Sequence, residues 1–291
     1  MSPRLTIGLP VRDGAQFLSA AIDSLLKQTF TDFELILSDN ASTDATEQIC
    51  QDAARDPRVR YHRFDENVGA SRNFNFVLEE ATGEYFKWAA HDDVCAYPLA
   101  ERCIAELDRD SNLVVCHSKT GRLDAENNVK GECESELSFD HEDARQRFRD
   151  VITKRHFCWS VFGVMRTDVL KQTQGIGAYV GSDRNLLAEL ALRGKIHLLP
   201  DVLFYRRDHP GSSVRSLPDE RSRLAWFDPR RRDSRSYPTW RRMREYVGSI
   251  RRSPLTFTEK AGCYAEVLQW CGSQHHTGPR NARKMLSELL G

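Results

Sequence analysis

The strongest constraint on the fold is a regular alternation, within the first 118 residues, of short apolar segments and stretches with helical periodicity. The apolar runs, each typical of a buried strand, cover residues 5–11, 33–39, 59–64 and 85–90. Helical spacing after the first run is shown by Phe17, Leu18, Ile22, Leu25 and Leu26. Strands that alternate with helices in this way form a mostly parallel sheet with helices on both faces. The sequence therefore predicts an α/β, Rossmann-like domain.

The second half of the chain continues less regularly. Apolar segments predict further strands at 113–118, 159–165 and 196–203. A polar stretch at 121–131, between strand-like flanks, predicts a hairpin. A helix with Leu186, Leu187 and Leu190 is expected to begin at Ser182.

Composition narrows the classes of protein that fit. The 291 residues suffice for one large α/β domain with a substantial core. Lysine plus arginine equals aspartate plus glutamate, 42 of each, so no overall positive field favours nucleic acid. The eight cysteines form no Cys-x-x-Cys pair, which argues against zinc and for free thiols in a reducing cytosol. Because no apolar run approaches a membrane span, we expect a cytoplasmic protein that is at most peripheral to a membrane.

Polar side chains follow several of the predicted strands where each strand ends. Asp92 and Asp93 come shortly after the apolar run 85–90. The other polar clusters lie at 10–14, 38–43 and 67–73. Because the carboxyl ends of parallel strands share one edge of a sheet, these clusters are expected to converge on a ligand crevice. Two carboxylates there indicate a divalent cation that holds a phosphate, although they could instead only cap the following helix or turn.

Taken in order, the short motifs of the chain resemble those of family 2 glycosyltransferases of the inverting type, which have the GT-A fold. The resemblance covers about residues 4–213, and the ordered set is more specific than any single motif. The matching pieces are 8–14 (GLPVRDG), 37–44 (LSDNASTD), 67–73 (NVGASRN), 81–85 (ATGEY), 91–93 (HDD), 181–183 (GSD) and 205–209 (YRRDH).

The resemblance implies nucleotide-binding roles for residues of the first half. Asp39 would accept a hydrogen bond from the nucleobase and Pro10 would line the base pocket, which suits the imide N–H of uracil or thymine. Asn67 and Gly69 would lie in a loop against the nucleotide, and Arg72 would meet the diphosphate. The structural alternatives are a turn aspartate, a glycine required by a positive φ, and an arginine on a solvated helix face.

The same resemblance implies a cation site at the paired acids. Asp93 would bind the cation, and Asp92 would bind the ribose or make a second metal contact. Many family members have another acid where this chain has Ala90. Oxygen ligands beside a phosphate suit Mg²⁺ or Mn²⁺, and a direct His91 ligand would favour Mn²⁺. We expect His91 instead to be packed behind the ligands.

Two further motifs would supply the reaction itself. Transfer with inversion needs a base for the acceptor hydroxyl, and Asp183 matches the second acid of the family's catalytic Glu-Asp pair. Ser182 replaces the first acid of that pair. The alternative is that Asp183 is only the N-cap of the following helix. Arg206, Arg207 and His209 match a segment that lies near the donor diphosphate in similar enzymes.

Together, these expectations predict how the chain is divided into domains and which reaction it catalyses. Residues 1–213 would form the GT-A domain, with a nucleotide-binding half at about 1–118 and an acceptor half at about 119–213. Residues 214–291 would form a basic, mainly helical extension. The protein would move one sugar from a UDP- or dTDP-sugar to a hydroxyl on a saccharide or lipid-linked saccharide, in cell-surface polysaccharide or glycolipid synthesis.

Other functions and partners stay open at this point. A relative that binds nucleotide sugars without turnover is possible because Ala90 and Ser182 replace family acids. A sugar nucleotidyltransferase fits less well, because the 10–14 loop has one glycine where a triphosphate-binding loop needs several. Arginines crowd around Trp240, Tyr237 and Tyr246 within 221–252, which forms either a solvated basic surface or a contact with anionic membrane lipids. RNA binding is weakly supported, since no RNA-binding motif accompanies the charge.

Overall fold

A mixed β-sheet with helices on both faces forms the centre of the molecule. The computed structural model describes residues 2–133, 137–212, 216–217, 219–231 and 238–273. Within these residues the sheet has nine strands. They are β1 (Leu5–Val11), β2 (Phe33–Asp39), β3 (Val59–Arg63), β4 (Tyr85–Trp88), β5 (Val94–Cys95), β6 (Leu113–Leu123), β7 (Val129–Glu132), β8 (Val164–Arg166) and β9 (Lys195–Arg207).

The helices in the described part of the chain alternate with these strands and then follow the last of them. They are α1 (Ala15–Leu26), α2 (Thr46–Ala53), α3 (Ala70–Glu79), α4 (Leu99–Arg109), α5 (Ala144–Thr153), α6 (Thr167–Lys171), α7 (Ser182–Arg193), α8 (Glu220–Phe227), α9 (Pro238–Arg252) and α10 (Phe257–Ser273). Short 3-10 helices lie at Trp159–Phe162 and Pro229–Arg231.

The strand order places strands that are distant in the sequence beside one another in the sheet. The order is β3-β2-β1-β4-β8-β6-β9-β5, with β7 paired to β6. β3, β2, β1 and β4 are mutually parallel, as are β6 and β9. β8 runs antiparallel to both β4 and β6, and β5 runs antiparallel to β9. The prediction of an α/β fold with a mostly parallel sheet is confirmed.

Two predicted strands differ in extent from the observed ones. The segment 159–165 begins as a 3-10 helix and becomes a strand only at Val164. The reason is local pairing, since the N–H groups of Val161 and Gly163 donate to carbonyls three residues earlier, at 3.1 and 3.0 Å. The run that starts at Tyr85 leaves the strand after Trp88, so the paired acids lie in the loop beyond it. The hairpin expected at 121–131 is present as the β6–β7 pair.

The core lies on both faces of the sheet. All seven residues of β1 are buried, as expected for a central parallel strand covered on both sides. One apolar cluster joins β1 to helices α1 and α4, and the other joins Phe86 and Trp88 to helices α3, α5 and α7. Helix α3 packs tightly against β1 at Gly8. A Cβ at this position would lie only 2.6 Å from Val77 Cγ2, so a larger residue would not fit.

The helices after residue 238 belong to the second of these clusters. Tyr246 of α9 is fully buried, with ring centroids 5.9 Å from Phe148 and 5.3 Å from Trp270. The expectation that Tyr246 contributes to an exposed basic surface is therefore wrong, since its ring fills the space between α5 and α10. Tyr237 lies outside the described residues. A domain boundary at residue 213 stays a prediction.

No helix in the described part of the chain is long and apolar enough to cross a bilayer. Contact of the 221–252 segment with a membrane surface stays a prediction, as does a cytoplasmic location.

Candidate active site

The loops after β1 and β2 are joined by side-chain hydrogen bonds. Pro10 is opposite Ser38 in the β1–β2 register, so both strands end side by side. Asp13 Oδ1 accepts from the Thr43 N–H at 2.7 Å, and the Asp13 N–H donates to Ser42 Oγ at 2.9 Å. The convergence predicted from the strand ends is thus present, with a buried Pro10 at its base.

Asp39, the expected nucleobase contact, is completely buried and already receives donors from the chain. Its Oδ1 accepts from the Ser42 N–H at 2.9 Å, and its Oδ2 lies 3.2 Å from the Tyr61 hydroxyl and forms an ion pair with Arg63. The bond to Ser42 is the turn geometry that was the structural alternative. Arg63 was missed by sequence reasoning, although it and Asp39 both end their strands and are opposite each other in the β2–β3 register. Contact between Asp39 and a base stays a prediction.

The loop that holds Asn67 and Gly69 is fixed to the end of β2. Asn40 Nδ2 donates to Asn67 Oδ1 at 2.9 Å, and the Val68 N–H donates to Asn40 Oδ1 at 2.8 Å. Gly69 has φ of +84° and ψ of 156°, a combination open essentially to glycine alone. A Cβ there would also lie 2.4 Å from the Phe227 carbonyl oxygen. The loop is therefore shaped by backbone needs and covered by the end of α8.

Arg72 and Asn73 point in different directions although they are adjacent. The Arg72 guanidinium donates to Glu79 Oε2 at 2.8 Å and its side chain is 47% exposed, which is the solvated helix face. Asn73 is buried, accepts from Ser38 Oγ at 2.6 Å and donates to the Ser38 carbonyl at 3.0 Å. Asn73 therefore ties α3 to β2, whereas contact between Arg72 and a diphosphate stays a prediction.

Asp92 and His209 meet although 117 residues separate them. His209 Nε2 lies 2.9 Å from Asp92 Oδ2, and the imidazole packs edge-on against Phe17 at 4.7 Å between ring centroids. The strand pairing explains the meeting, because β5 follows directly after the acids and pairs with the end of β9, with Val94 opposite Tyr205. Both side chains are largely buried, with 18% and 8% of their surfaces exposed.

Asp93, unlike Asp92, is held by a hydrogen bond from the backbone. The Arg207 N–H donates to Asp93 Oδ1 at 2.9 Å. Burial, reinforced by the neighbouring charge of Asp92, raises the pKa of the Asp93 carboxyl well above its usual range. Asp92 is thus the more accessible member of the pair.

Arg207 fixes the loop that carries the acids and is a second residue that sequence reasoning undervalued. Its buried guanidinium donates to the carbonyls of Asp92 and Asp124 at 2.8 and 2.9 Å, and to Asn127 Oδ1 at 2.7 Å. Arg206, its neighbour on the strand, faces the other way and places its guanidinium carbon 5.8 Å from the centre of the Trp159 ring. Of the two arginines expected near the diphosphate, Arg207 holds the loop and Arg206 does not.

Whether a divalent cation could bind here depends on Asp92 and His209. Within the described residues, no three His, Cys, Asp or Glu side chains lie together as a complete metal cage. Mg²⁺ and Mn²⁺ sites in phosphate-binding enzymes need only one or two protein ligands, because the phosphates supply the others. A carboxylate and an imidazole that meet where two different segments come together fit that requirement. His91 is packed as expected, since a Cβ at Gly14 would lie 2.6 Å from its ring and burial lowers its pKa.

Asp183 lies in the first turn of α7. Gly181 occupies the N-cap position with φ of +86°, so the alternative that Asp183 is the N-cap is wrong. Asp183 Oδ1 accepts from the Arg184 N–H at 2.7 Å. Burial, with the negative charge of Asp183 nearby, raises the pKa of the Cys158 thiol. Cys158 directly precedes Trp159, so one short segment connects Asp183 with Arg206.

Comparison with known proteins identifies the chain. The model of the family described as glycosyl transferase family 2 matches residues 6–173. Glycosyltransferase GlyG of Streptococcus pneumoniae is 25% identical over 235 residues, which is 78% of this chain and 76% of that protein. An uncharacterised glycosyltransferase of Rickettsia typhi is 37% identical over 93 residues, or 32% of this chain. The matched region is only 28% of the length of that relative.

Solved structures show the same architecture. TarS of S. aureus, in complex with UDP, aligns over 95% of this chain and 73% of its own with a TM-score of 0.65 and 19% identity. The mannosyltransferase PcManGT from Pyrobaculum calidifontis, in complex with GDP-Man and Mn²⁺, aligns over 100% of this chain and 80% of its own, with a TM-score of 0.55 and 15% identity. The predicted family and fold are both confirmed. The chain belongs to glycosyl transferase family 2 and has the GT-A fold.

Proposed function

We propose that this protein transfers a single sugar from a nucleoside-diphosphate donor to a hydroxyl of a saccharide or lipid-linked saccharide acceptor, with inversion at the sugar carbon. The observation that carries the proposal is the meeting of Asp92 and His209, 2.9 Å apart, at the edge where β1, β2 and β4 end. Membership of a glycosyltransferase family supports the reaction class. A UDP- or dTDP-sugar is the proposed donor, and the UDP and UDP-GlcNAc complexes of TarS support a uracil base.

Asp92 and His209 are the residues that would hold Mg²⁺ or Mn²⁺ together with the donor diphosphate. When bound, the cation offsets the charge that develops on the leaving diphosphate. Asp93 would keep Asp92 in place, because it anchors the loop to the Arg207 N–H. This refines the expectation from sequence, in which Asp93 was the main ligand, on the ground that Asp92 is the more accessible acid.

Asp183 is the proposed base. As the acceptor oxygen bonds to the anomeric carbon and the bond to the diphosphate breaks, the hydroxyl proton moves to the Asp183 carboxylate. The Arg184 N–H holds one oxygen of that carboxylate at 2.7 Å, which fixes its orientation in the first turn of α7. Arg206 is placed at the other end of the 158–159 segment, where its charge would attract the leaving diphosphate.

Donor binding tests the proposal. Purified protein would be melted with UDP-, dTDP- and GDP-sugars, with and without MnCl₂. We expect at least one donor to raise the melting temperature in a metal-dependent way, and that donor to be slowly hydrolysed. If no donor changes the melting temperature, the proposal is wrong. If a donor binds and no transfer or hydrolysis is found, the protein is a nucleotide-sugar-binding relative without turnover.

A further inference from the structure

A half-exposed aromatic pair lies beside the candidate base, outside the residues that the family resemblance singled out. Phe157 has 50% of its surface exposed and stacks on Trp159, with ring centroids 4.3 Å apart and an angle of 11° between the planes. The guanidinium of Arg206 lies 5.8 Å from the Trp159 ring centre. Trp159 therefore backs Phe157, and the open ring surface of the pair belongs to Phe157.

The backbone that carries Phe157 is held by hydrogen bonds from side chains. Arg184 donates to the carbonyls of Val151 and His156, both at 2.8 Å. The His156 ring in turn bonds the Phe157 carbonyl at 2.9 Å through Nδ1. Exposed aromatic side chains are common on protein surfaces and alone need no explanation. Here, however, a partly buried hydrogen-bond network holds the backbone beside the exposed ring, and Trp159 stacks on the ring itself. Such support suits a binding surface because little conformational freedom is lost on contact.

The same network couples the aromatic pair to Asp183. Arg184, which braces the segment, directly follows Asp183 on α7. Its guanidinium lies 2.8 Å from the His156 carbonyl, directly before Phe157, and 2.9 Å from His156 Nε2. Burial, with the negative charge of Asp183 nearby, raises the pKa of the Cys158 thiol between the two aromatic residues. The segment that carries the exposed ring is thus bonded to the residue that directly follows the acid expected to meet the acceptor hydroxyl.

We propose that the open face of Phe157, backed by Trp159, binds a sugar ring of the acceptor by stacking. This inference rests on the proposed function. The faces of aromatic rings carry partial negative charge, and the C–H groups on one face of a pyranose carry partial positive charge, so the two faces attract each other. A single half-exposed ring matches the size of one sugar and offers too little apolar area to hold a lipid chain firmly. The acceptor is therefore a saccharide whose terminal or penultimate ring lies on Phe157 while its hydroxyl reaches Asp183.

Glycan binding tests this inference. The 291-residue chain would be applied to a panel of immobilised glycans in the presence of MnCl₂ and UDP. The Phe157→Ala variant should bind the recognised glycan at least tenfold more weakly than the unmodified protein, whereas Phe157→Tyr should bind within twofold because it keeps the ring. Phe257→Ala removes a still more exposed phenylalanine, 89% against 50%, from α10 and should change nothing.

The outcomes separate this inference from the proposed function. The stacking surface is rejected if Phe157→Ala binds glycans as the unmodified protein does, or if the unmodified protein binds none of the panel. Displacement by octanol but not by methyl glycosides would also contradict it, in favour of a lipid chain. The melting shift that a donor and MnCl₂ produce should be the same in all variants. Absence of that shift in the unmodified protein would overturn the proposed function, whatever the glycans do.

Discussion

His209 Nε2 lies 2.9 Å from Asp92 Oδ2, and this contact joins the loop after β4 to the segment after β9. It brings two groups that can bind a divalent cation to one point of the crevice. Neither residue would mark a site alone, because paired acids often cap helices and loop histidines are common. Their meeting gives the cation site its physical basis.

Replacing either partner should therefore weaken metal-dependent donor binding. For Asp92→Asn and for His209→Ala we expect the donor affinity in MnCl₂ to fall by at least about 10- to 100-fold, which is the typical loss when even a group that only supports a metal ligand is removed. Calorimetric titration with the donor that stabilises the protein would measure this. Asp201→Asn is a matched control, since Asp201 lies in an ion pair with Arg102 at 2.8 Å on the outside of β9. Equal affinities in the control and the site variants would argue against the cation site.

Arg207 should contribute more to stability than Arg206. Arg207→Met removes the donor of two partly buried carbonyls, those of Asp92 and Asp124, and each acceptor left unsatisfied away from water costs about 1–3 kcal/mol. It also removes the donor of the Asn127 side chain, which is exposed and can bond water instead. Urea denaturation should show a loss of several kcal/mol for this variant, whereas Arg206→Met should lose less than about 1 kcal/mol, as surface substitutions do. A larger loss for Arg206→Met would contradict the inward role assigned to Arg207.

Gly69 and Gly181 allow a test of how closely the end of α8 packs on the nucleotide loop, because both glycines have a positive φ but only Gly69 is crowded by neighbouring atoms. Both have φ near +85°, but a Cβ at Gly69 meets the Phe227 carbonyl at 2.4 Å, whereas one at Gly181 meets only Arg242 Cδ at 3.6 Å. Gly181 also has ψ of 16°, within the left-handed region that other residues can enter. We expect Gly181→Ala to cost about 1 kcal/mol and Gly69→Ala to cost at least about 3 kcal/mol, measured by urea denaturation. Equal losses would mean that the end of α8 does not pack on the nucleotide loop.

Much of the fold follows from hydrophobic periodicity. The alternating pattern predicts β1 to β4 with their helices, because each central strand is apolar on both faces and each helix is amphipathic. The segment at 159–165 was predicted less well, since an apolar run does not distinguish a strand from a 3-10 turn closed by its own backbone hydrogen bonds. Tyr246 was misplaced because arginines on the other faces of α9 conceal its buried position.

The sequence was enough to predict which residues belong to the candidate site, but not which contacts they make with one another. Strand ends indicate which loops converge, and the family motifs indicate the residues. Neither shows that Arg63 pairs with Asp39, that Arg207 rather than Arg206 turns inward, or that Phe157 stays half exposed. These depend on the register between strands and on which face of a strand meets the core, and both are set by tertiary packing.

The most direct test of the account is the effect of Asp183→Asn on the release of nucleoside diphosphate from the donor that binds. Asparagine keeps the oxygen that accepts from the Arg184 N–H, so folding and donor affinity should stay within about twofold of the unmodified protein. Loss of a general base should lower the rate of turnover by at least about 100-fold. An unchanged rate of nucleotide release, with the donor still bound, would contradict the assignment of Asp183 as the base.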